Sequence, residues 1–371
     1  MHARQSDQTV HEHLSCEFLL TSYCNMSCDY CIATDIPGSA MSIEIGRKAI
    51  DMFVYLAKGG KSMEITFTGG EPLTEFLVLK GLTGYASERN RDAGMRVQFI
   101  LKTNGTILNE AIIDFMLENA MRVVISVDGT TDVHDRHRKT VRGDGTHNIV
   151  YNNLLALLEN KIPCVASVTV HPDSSGSVLD SVRFLHGLGV EQIDIGPVYG
   201  IVPWTELDCR KLAQSLMDVA GYMREVYKSG KRLDVGPLYR ESEHVGGILS
   251  DRWGCHAAST NLAFLPNGQV AGCSALAMLI SQFPELSLGD IFDGLDQVAI
   301  NHMVQLAQAP VEDRPSCKGC GVAINCTGGC LAINYSTSGS ALTPPGVYCQ
   351  TISAIPEAWC RAWADQGEHR C

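Results

Sequence analysis

The chain lacks any run of about 18 apolar residues, so no segment of it reads as a membrane-spanning helix. Its first residues, MHARQSDQTVHEH, hold no apolar core, which excludes a secretory signal peptide. Basic residues are short: 29 Lys and Arg stand against 41 Asp and Glu, a formal net charge of -12 at pH 7. An acidic chain without a basic run suits a phosphate backbone poorly, which argues against nucleic acid as a partner. Internal repeats and low-complexity tracts are also missing. The expectation is a cytoplasmic protein that engages neither membrane nor nucleic acid.

Cysteine is not short. There are 15 in 371 residues. A cytoplasmic compartment keeps thiols reduced, so a disulfide framework is not expected and metal binding is the better reading. The length and the 45% hydrophobic content suggest two domains around a sizeable core.

Six apolar segments read as strands: Cys16–Thr21, Met63–Thr68, Arg96–Lys102, Arg122–Val127, Val165–His171 and Gln192–Pro197. Helical patterns lie between them, among them Ile43–Ala57, Asn109–Asn119, Tyr151–Asn160 and Leu179–Gly187, and Glu206–Ser229 follows the last strand. The alternation predicts parallel βα units curled into a partial (β/α)6 barrel of the TIM type, with chemistry at the C-terminal ends of the strands. Beyond about Asp234 the periodicity stops, and Gly and Cys become frequent. A tail at 1–15, a barrel at 16–234 and a small cysteine-rich domain at 235–371 are therefore expected. The last is too loop-rich for apolar burial alone, so metal clusters would staple it.

Cys24, Cys28 and Cys31 follow the first strand with C-x3-C-x2-C spacing. Three thiolates on one loop can cap three irons of a four-iron cluster and leave the fourth open. A structural zinc site wants four ligands, and no fourth is near. The alternatives are a structural metal loop or three buried cysteines. The triad resembles the signature of the radical S-adenosylmethionine (SAM) superfamily. The resemblance implies that the open iron binds the amino and carboxylate groups of SAM. One electron then breaks the sulfonium C–S bond and gives a 5′-deoxyadenosyl radical that takes a substrate hydrogen.

Further matches follow in the family's order. Gly69-Gly70-Glu71-Pro72 resembles the GGE motif, whose backbone or Glu71 would receive the cofactor's ammonium. Thr103-Asn104-Gly105 ends the third strand, and Ser126-Val127-Asp128-Gly129 ends the fourth. The latter, with His134-Asp135 and Arg138, is similar to the branch that modifies peptides and proteins. By resemblance, Ser126 and Arg138 would hold the cofactor's carboxylate, Tyr30 would lie against the adenine, and Gly69, Gly70, Glu71 and Asn104 would complete the cofactor site.

A second set, Cys255, Cys273, Cys317, Cys320, Cys326, Cys330 and Cys349, resembles the SPASM domain with its two auxiliary iron–sulfur clusters, as does Ser287-Leu288-Gly289-Asp290-Ile291. The resemblances together cover roughly residues 16 to 350 and imply three [4Fe-4S] clusters. Cys317, Cys320, Cys326 and Cys349 would hold the distal auxiliary cluster. Cys255, Cys273 and Cys330 would hold the proximal one, which lacks a fourth cysteine; His256, Cys360 and Cys371 are candidates. Two zinc-ribbon sites are the alternative that spacing permits. Cys16 and Cys164 read as core residues, and Cys209 has no assignment.

The resemblance implies a peptide or protein substrate and an electron donor such as flavodoxin or ferredoxin. Only about fifteen residues precede the first strand, too few for the N-terminal leader-binding domain of many peptide maturases. A separate leader-binding protein or direct binding in the barrel mouth is expected instead. Sulfatase-maturating enzymes place an acidic base after the second auxiliary cysteine; here Ser274 follows Cys273, which disfavours formylglycine formation. Oxidative maturation (cross-linking or dehydrogenation) of a ribosomally made peptide is the leading expectation. A small-molecule oxidoreductase or epimerase, a sulfatase maturase and a non-catalytic metal protein are the alternatives. Asp128, His171, Asp194 and Tyr199 are unranked candidates for a substrate base.

Overall fold

Alternation along the strands sets the architecture. In the computed structural model, Cys16 and Phe18, Met63, Ile65 and Phe67, and Phe99 and Leu101 are buried on one face of a sheet. The residues between them include Glu17, Glu64, Thr66, Thr68 and Lys102. Successive strand side chains point to opposite faces, so one face is apolar and the other polar. The structure describes residues 13–33, 36–200, 202–238, 255–323, 326 and 329–363; the tail to residue 12 and Cys371 lie outside them.

The sheet has nine strands: β1 (His13–Leu19), β2 (Ser62–Thr68), β3 (Arg96–Thr103), β4 (Arg122–Ser126), β5 (Cys164–Val170), β6 (Gln192–Pro197), β7 (Asp234–Gly236), β8 (Asn261–Phe264) and β9 (Val270–Ala271). Their spatial order is β7-β6-β5-β4-β3-β2-β1-β8-β9. All pairings are parallel except β8 with β9. Cys16 pairs with Ile65, and Ile65 with Phe99, so the apolar row runs across neighbouring strands. On the other face Ser126 pairs with Ser167, and Ser167 with Asp194.

Helices connect the strands in the sequence's order: α1 (Ile43–Leu56), α2 (Phe76–Ala93), α3 (Glu110–Glu118), α4 (Thr131–His137), α5 (His147–Glu159), α6 (Val178–Gly187) and α7 (Glu206–Lys228). Phe53 of α1 meets Phe264 edge-on, and Phe264 lies 5.2 Å from Phe18 between ring centroids. That contact places the helices on the apolar face and leaves the polar face as the inner one. The six expected strands and five expected helices are present, and the fold is the α/β barrel type anticipated. The helix α2 completes the alternation between β2 and β3.

The sheet crosses the expected boundary near Asp234. β8 joins the edge of β1, with Cys16 opposite Leu262 and Phe18 opposite Phe264. The cysteine-rich part is also more helical than its composition suggests, with α8 (Ser274–Ala277), α9 (Gln297–Ala307), α10 (Leu331–Ser338) and α11 (Gly346–Trp363). One buried apolar cluster takes in Phe18, Leu216, Phe264, Leu331 and Trp363 from both parts. Apolar burial therefore contributes to holding the C-terminal part, contrary to the loop-rich expectation. Among the described residues no helix is long and apolar enough to cross a membrane.

Candidate iron–sulfur and cofactor site

Parallel strands deliver their C-terminal ends to one edge, and the motifs gather there. The cysteine loop leaves β1 and runs back along the turn after β2. Gly70 N donates to the Thr21 carbonyl and Glu71 N to the Tyr23 carbonyl, each at 2.8 Å. A Cβ on Gly70 would collide with the Tyr23 carbonyl, and one on Gly69 with that of Thr21. Gly69 also has φ +127°, which disfavours any L side chain. The glycines are thus required first by the close approach of the cysteine loop.

The Glu71 side chain is held by three protein hydrogen bonds. Its Oε1 accepts from Leu73 N at 3.0 Å and from Thr103 Oγ1 at 2.9 Å, and its Oε2 accepts from Asn104 N at 2.7 Å. It is fully buried. Burial raises its carboxyl to about 7 against the amides that favour the anion. The carboxylate ties the turn after β2 to the end of β3. Asn104 is likewise engaged. Its Nδ2 donates to Asn25 Oδ1 at 2.9 Å and reaches Cys24 Sγ at 3.6 Å, while its Oδ1 accepts from Thr106.

Cys24, Cys28 and Cys31 interact electrostatically with one another, and Cys28 also with Arg138. Burial pushes the Cys28 thiol up to about 11, with Arg138 pulling the other way. Such buried thiols ionise when a cation binds them. Among the described residues, no three cysteine sulfurs lie within 4.8 Å of one another. A tetrahedral zinc–thiolate site needs sulfurs about 3.8 Å apart, from Zn–S bonds of about 2.3 Å. The three sulfurs are not gathered on one ion-sized point, and three thiolates on one loop are a donor set that fits a cluster of several irons.

Arg138, Asp128 and Tyr30 form one buried unit. Arg138 Nε donates to Asp128 Oδ2 at 2.7 Å, and Nη2 donates to Asp128 Oδ1 and Thr169 Oγ1, each at 3.0 Å. The guanidinium carbon lies 5.5 Å from the Tyr30 ring centroid, and Tyr30 Oη reaches Asp128 Oδ2 at 3.3 Å. Arg138 is 6% exposed, which rules out a solvated surface arginine. Asp128 supplies the carboxylate that pairs with Arg138. Asp128, the candidate substrate base, also accepts from Thr169 N and is buried against Arg138. Ser126 stands half-buried at the end of β4 on the polar face.

His134 and Asp135 build the scaffold around this unit. Burial, then the Arg138 charge, lowers the His134 imidazole to about 4. The neutral ring accepts from Asp128 N at 3.3 Å and contacts Thr146 Oγ1 at 3.0 Å. Asp135 Oδ1 accepts from Thr146 N and His147 N at the start of α5. The remaining base candidates are scattered. His171 follows β5, Asp194 stands on the polar face of β6, and Tyr199 lies against Tyr348 with centroids 5.7 Å apart.

The later cysteines assemble as two groups. Cys255, Cys273 and Cys330 interact with one another. Cys317, Cys320, Cys326, Cys349, Arg314 and Tyr348 line one cavity. His256 is exposed beside Cys255. Cys360 is disulfide-bonded, which removes it as a candidate ligand and departs from the expectation of reduced thiols throughout. Cys16 and Cys209 are buried, and Cys164 is half-buried.

Sequence reasoning missed a charged pair on the polar face. Glu17 Oε1 accepts from Lys102 Nζ at 2.7 Å, and Glu17 Oε2 accepts from Ser274 N at 2.7 Å. Lys102 also interacts electrostatically with Cys273. The pair joins β1 and β3 to the second cysteine group. The signal was present: charged residues recur on the inward row of strands whose other row is apolar.

Residues 18–185 match the Radical SAM superfamily. A 174-residue stretch, 47% of this chain, is 28% identical to the uncharacterized protein MJ0907 of Methanocaldococcus jannaschii and spans 59% of that protein. Over 331 residues the chain is 24% identical to a serine-type anaerobic sulfatase-maturating enzyme of Klebsiella aerogenes, covering 83% of this chain and 77% of that one. The fold matches the structure of native anSMEcpe with bound AdoMet and Kp18Cys peptide with a TM-score of 0.76 at 19% identity, over 95% of this chain and 98% of that one. Streptococcus suis SuiB bound to precursor peptide SuiA follows at a TM-score of 0.61 and 15% identity, over 90% and 75%.

Proposed function

Because residues 18–185 are a radical SAM domain, we propose that the chain is a SAM-dependent radical enzyme with a C-terminal SPASM domain, and that it oxidatively matures a ribosomally made peptide. The observation that carries this reading is the grouping of cysteines. A triad sits at the strand ends, and two further groups form in the C-terminal part, the nearer one bonded through Ser274 to the polar face.

Cys24, Cys28 and Cys31 would hold a [4Fe-4S] cluster whose open iron binds SAM and supplies the electron that cleaves it. The Gly69–Gly70 backbone holds the loop, Asn104 steadies Cys24, and Glu71 fixes the strand ends beneath. Cys255, Cys273 and Cys330 would hold a proximal auxiliary cluster, and Cys317, Cys320, Cys326 and Cys349 a distal one. The polar face between triad and proximal group, with Glu17, Lys102, Ser126 and Asp194, is where a peptide side chain would lie. Two of the similar folds were solved with peptides bound, which supports a peptide substrate. A flavodoxin or ferredoxin would deliver the electron, and a separate leader-binding protein would help to present the substrate.

Anaerobically reconstituted enzyme with reductant and SAM should release 5′-deoxyadenosine, and Cys28→Ala should abolish the release. With a peptide encoded beside the gene, the peptide should lose hydrogen mass; cleavage of SAM with no candidate peptide altered would refute peptide maturation. Sulfatase-type maturation is the second reading, favoured by the 83% of this chain that aligns with the Klebsiella enzyme. Aldehyde formation in a sulfatase-derived peptide decides for it.

A further inference from the structure

We propose that His137, His171 and Asp173 form a binding site for one divalent first-row metal ion, separate from the cysteine sites. His137 ends α4, and His171 and Asp173 follow β5. His137 Nε2 lies 3.2 Å from Asp173 Oδ1, and His171 Nδ1 lies 3.1 Å from the same oxygen. All three ligand atoms are within 4.8 Å of one another. With metal–ligand bonds of about 2.0–2.1 Å, the edges of a tetrahedral site are about 3.3 Å, so the two edges that meet at Asp173 Oδ1 already match.

The detail of the bonding points the same way. His171 Nδ1 is a buried nitrogen with no hydrogen-bond partner among the described residues, although Asp173 Oδ1 is near. Its geometry is not that of a hydrogen bond, and a cation at the common focus would satisfy it. The two imidazole rings stack at 3.9 Å, closer than the roughly 5 Å expected of two rings on one tetrahedral ion, so binding would splay them apart. His137 Nδ1 is 2.8 Å from Asp29 Oδ2. A carboxylate on the far nitrogen fixes the tautomer that presents Nε2 to a metal, the arrangement usual around metal-bound histidines. Arg136 Nη1 takes Asp173 Oδ2 at 3.2 Å, and Oδ1 is shared with His137 Nε2 in a hydrogen bond that an ion would replace.

Two imidazoles and one carboxylate select a cation of nitrogen–oxygen preference, such as zinc or ferrous iron, and leave open positions for water. Asp173 is 42% exposed, which gives an ion a path of entry. Asp29 lies between Cys28 and Tyr30, so a bound ion would brace the cysteine loop against the end of β5.

Zinc ion is the probe. Holoenzyme with its iron already loaded should take up one further zinc per chain. X-ray absorption at the zinc edge should show nitrogen and oxygen ligands at about 2.0–2.1 Å. His171→Ala and Asp173→Asn should each weaken zinc binding at least tenfold while iron content stays at the wild-type value. A sulfur shell at about 2.3 Å, no uptake beyond that of the variants, or uptake unchanged in both variants would overturn the site. The absorption edge of the wild-type protein decides even where a variant folds poorly.

Discussion

Glu71 is a single side chain on which burial and hydrogen bonding oppose each other. Its three accepted hydrogen bonds come from groups that set the geometry of the strand ends. Its carboxyl is raised to about 7 by burial. A raised acid pKa means that the folded state holds a proton the unfolded chain releases. The associated stability is full below the unfolded value near 4.5 and is lost as pH rises through about 7. Chemical denaturation between pH 5 and pH 8 should therefore show a falling stability of about 3 kcal/mol in total from this group. Glu71→Gln should flatten that slope and lose the Asn104 hydrogen bond; an unchanged slope would remove Glu71 as its source. Arg138 permits a second test. Arg138→Met leaves Asp128 charged, buried and unpaired, an expected cost of about 3–5 kcal/mol in urea unfolding. A cost under about 1 kcal/mol would mean that the ion pair contributes little to the fold.

At the scale of elements, the glycines separate close approach from mere flexibility. Gly70→Ala places a Cβ against the Tyr23 carbonyl, which cannot move without shifting the cysteine loop. The variant should fold yet retain at most about a third of the triad's iron; this follows from a backbone collision rather than from a lost contact. Gly84, exposed in α2 with nothing within 4 Å of an added Cβ, is the opposite case. Gly84→Ala should stabilise the protein by about 0.5–1 kcal/mol through helix propensity, read as a higher urea midpoint at equal iron content.

The contrast also explains what could be read in advance. β1 to β6 were legible because each carries an apolar row of period two. α2 was not, because Gly81 and Gly84 dilute its apolar stripe. The cysteine triad was legible by spacing. Asp29, His137 and Asp173 were not, because the cysteine loop, the end of α4 and the turn after β5 bring them together. The hydrogen bonds of the Glu71 carboxylate were not legible either, because packing, not sequence, brings Thr103 and Asn104 against it.

For the whole molecule the question is whether barrel and cysteine-rich part are one cooperative body. β8 lengthens the sheet beside β1, a four-residue strand paired across more than 240 positions, which no local pattern announces. α11 lies along α7, with Trp363 edge-on to Tyr227 at 4.8 Å and Trp363 Nε1 donating to the Leu238 carbonyl at 2.9 Å. Trp363 is fully buried. Removing it should cost about 3–5 kcal/mol. If the two parts share one core, the loss cannot stay in α11. Hydrogen exchange of Trp363→Ala should show α7 and β7 losing protection together with α11, and the second cysteine group should lose iron in the same variant. Faster exchange confined to 346–363, with α7 as slow as in the wild type, would mean that the C-terminal part unfolds alone. In that case the Glu17–Ser274 hydrogen bond would be too weak a tether to hold a proximal cluster against the polar face.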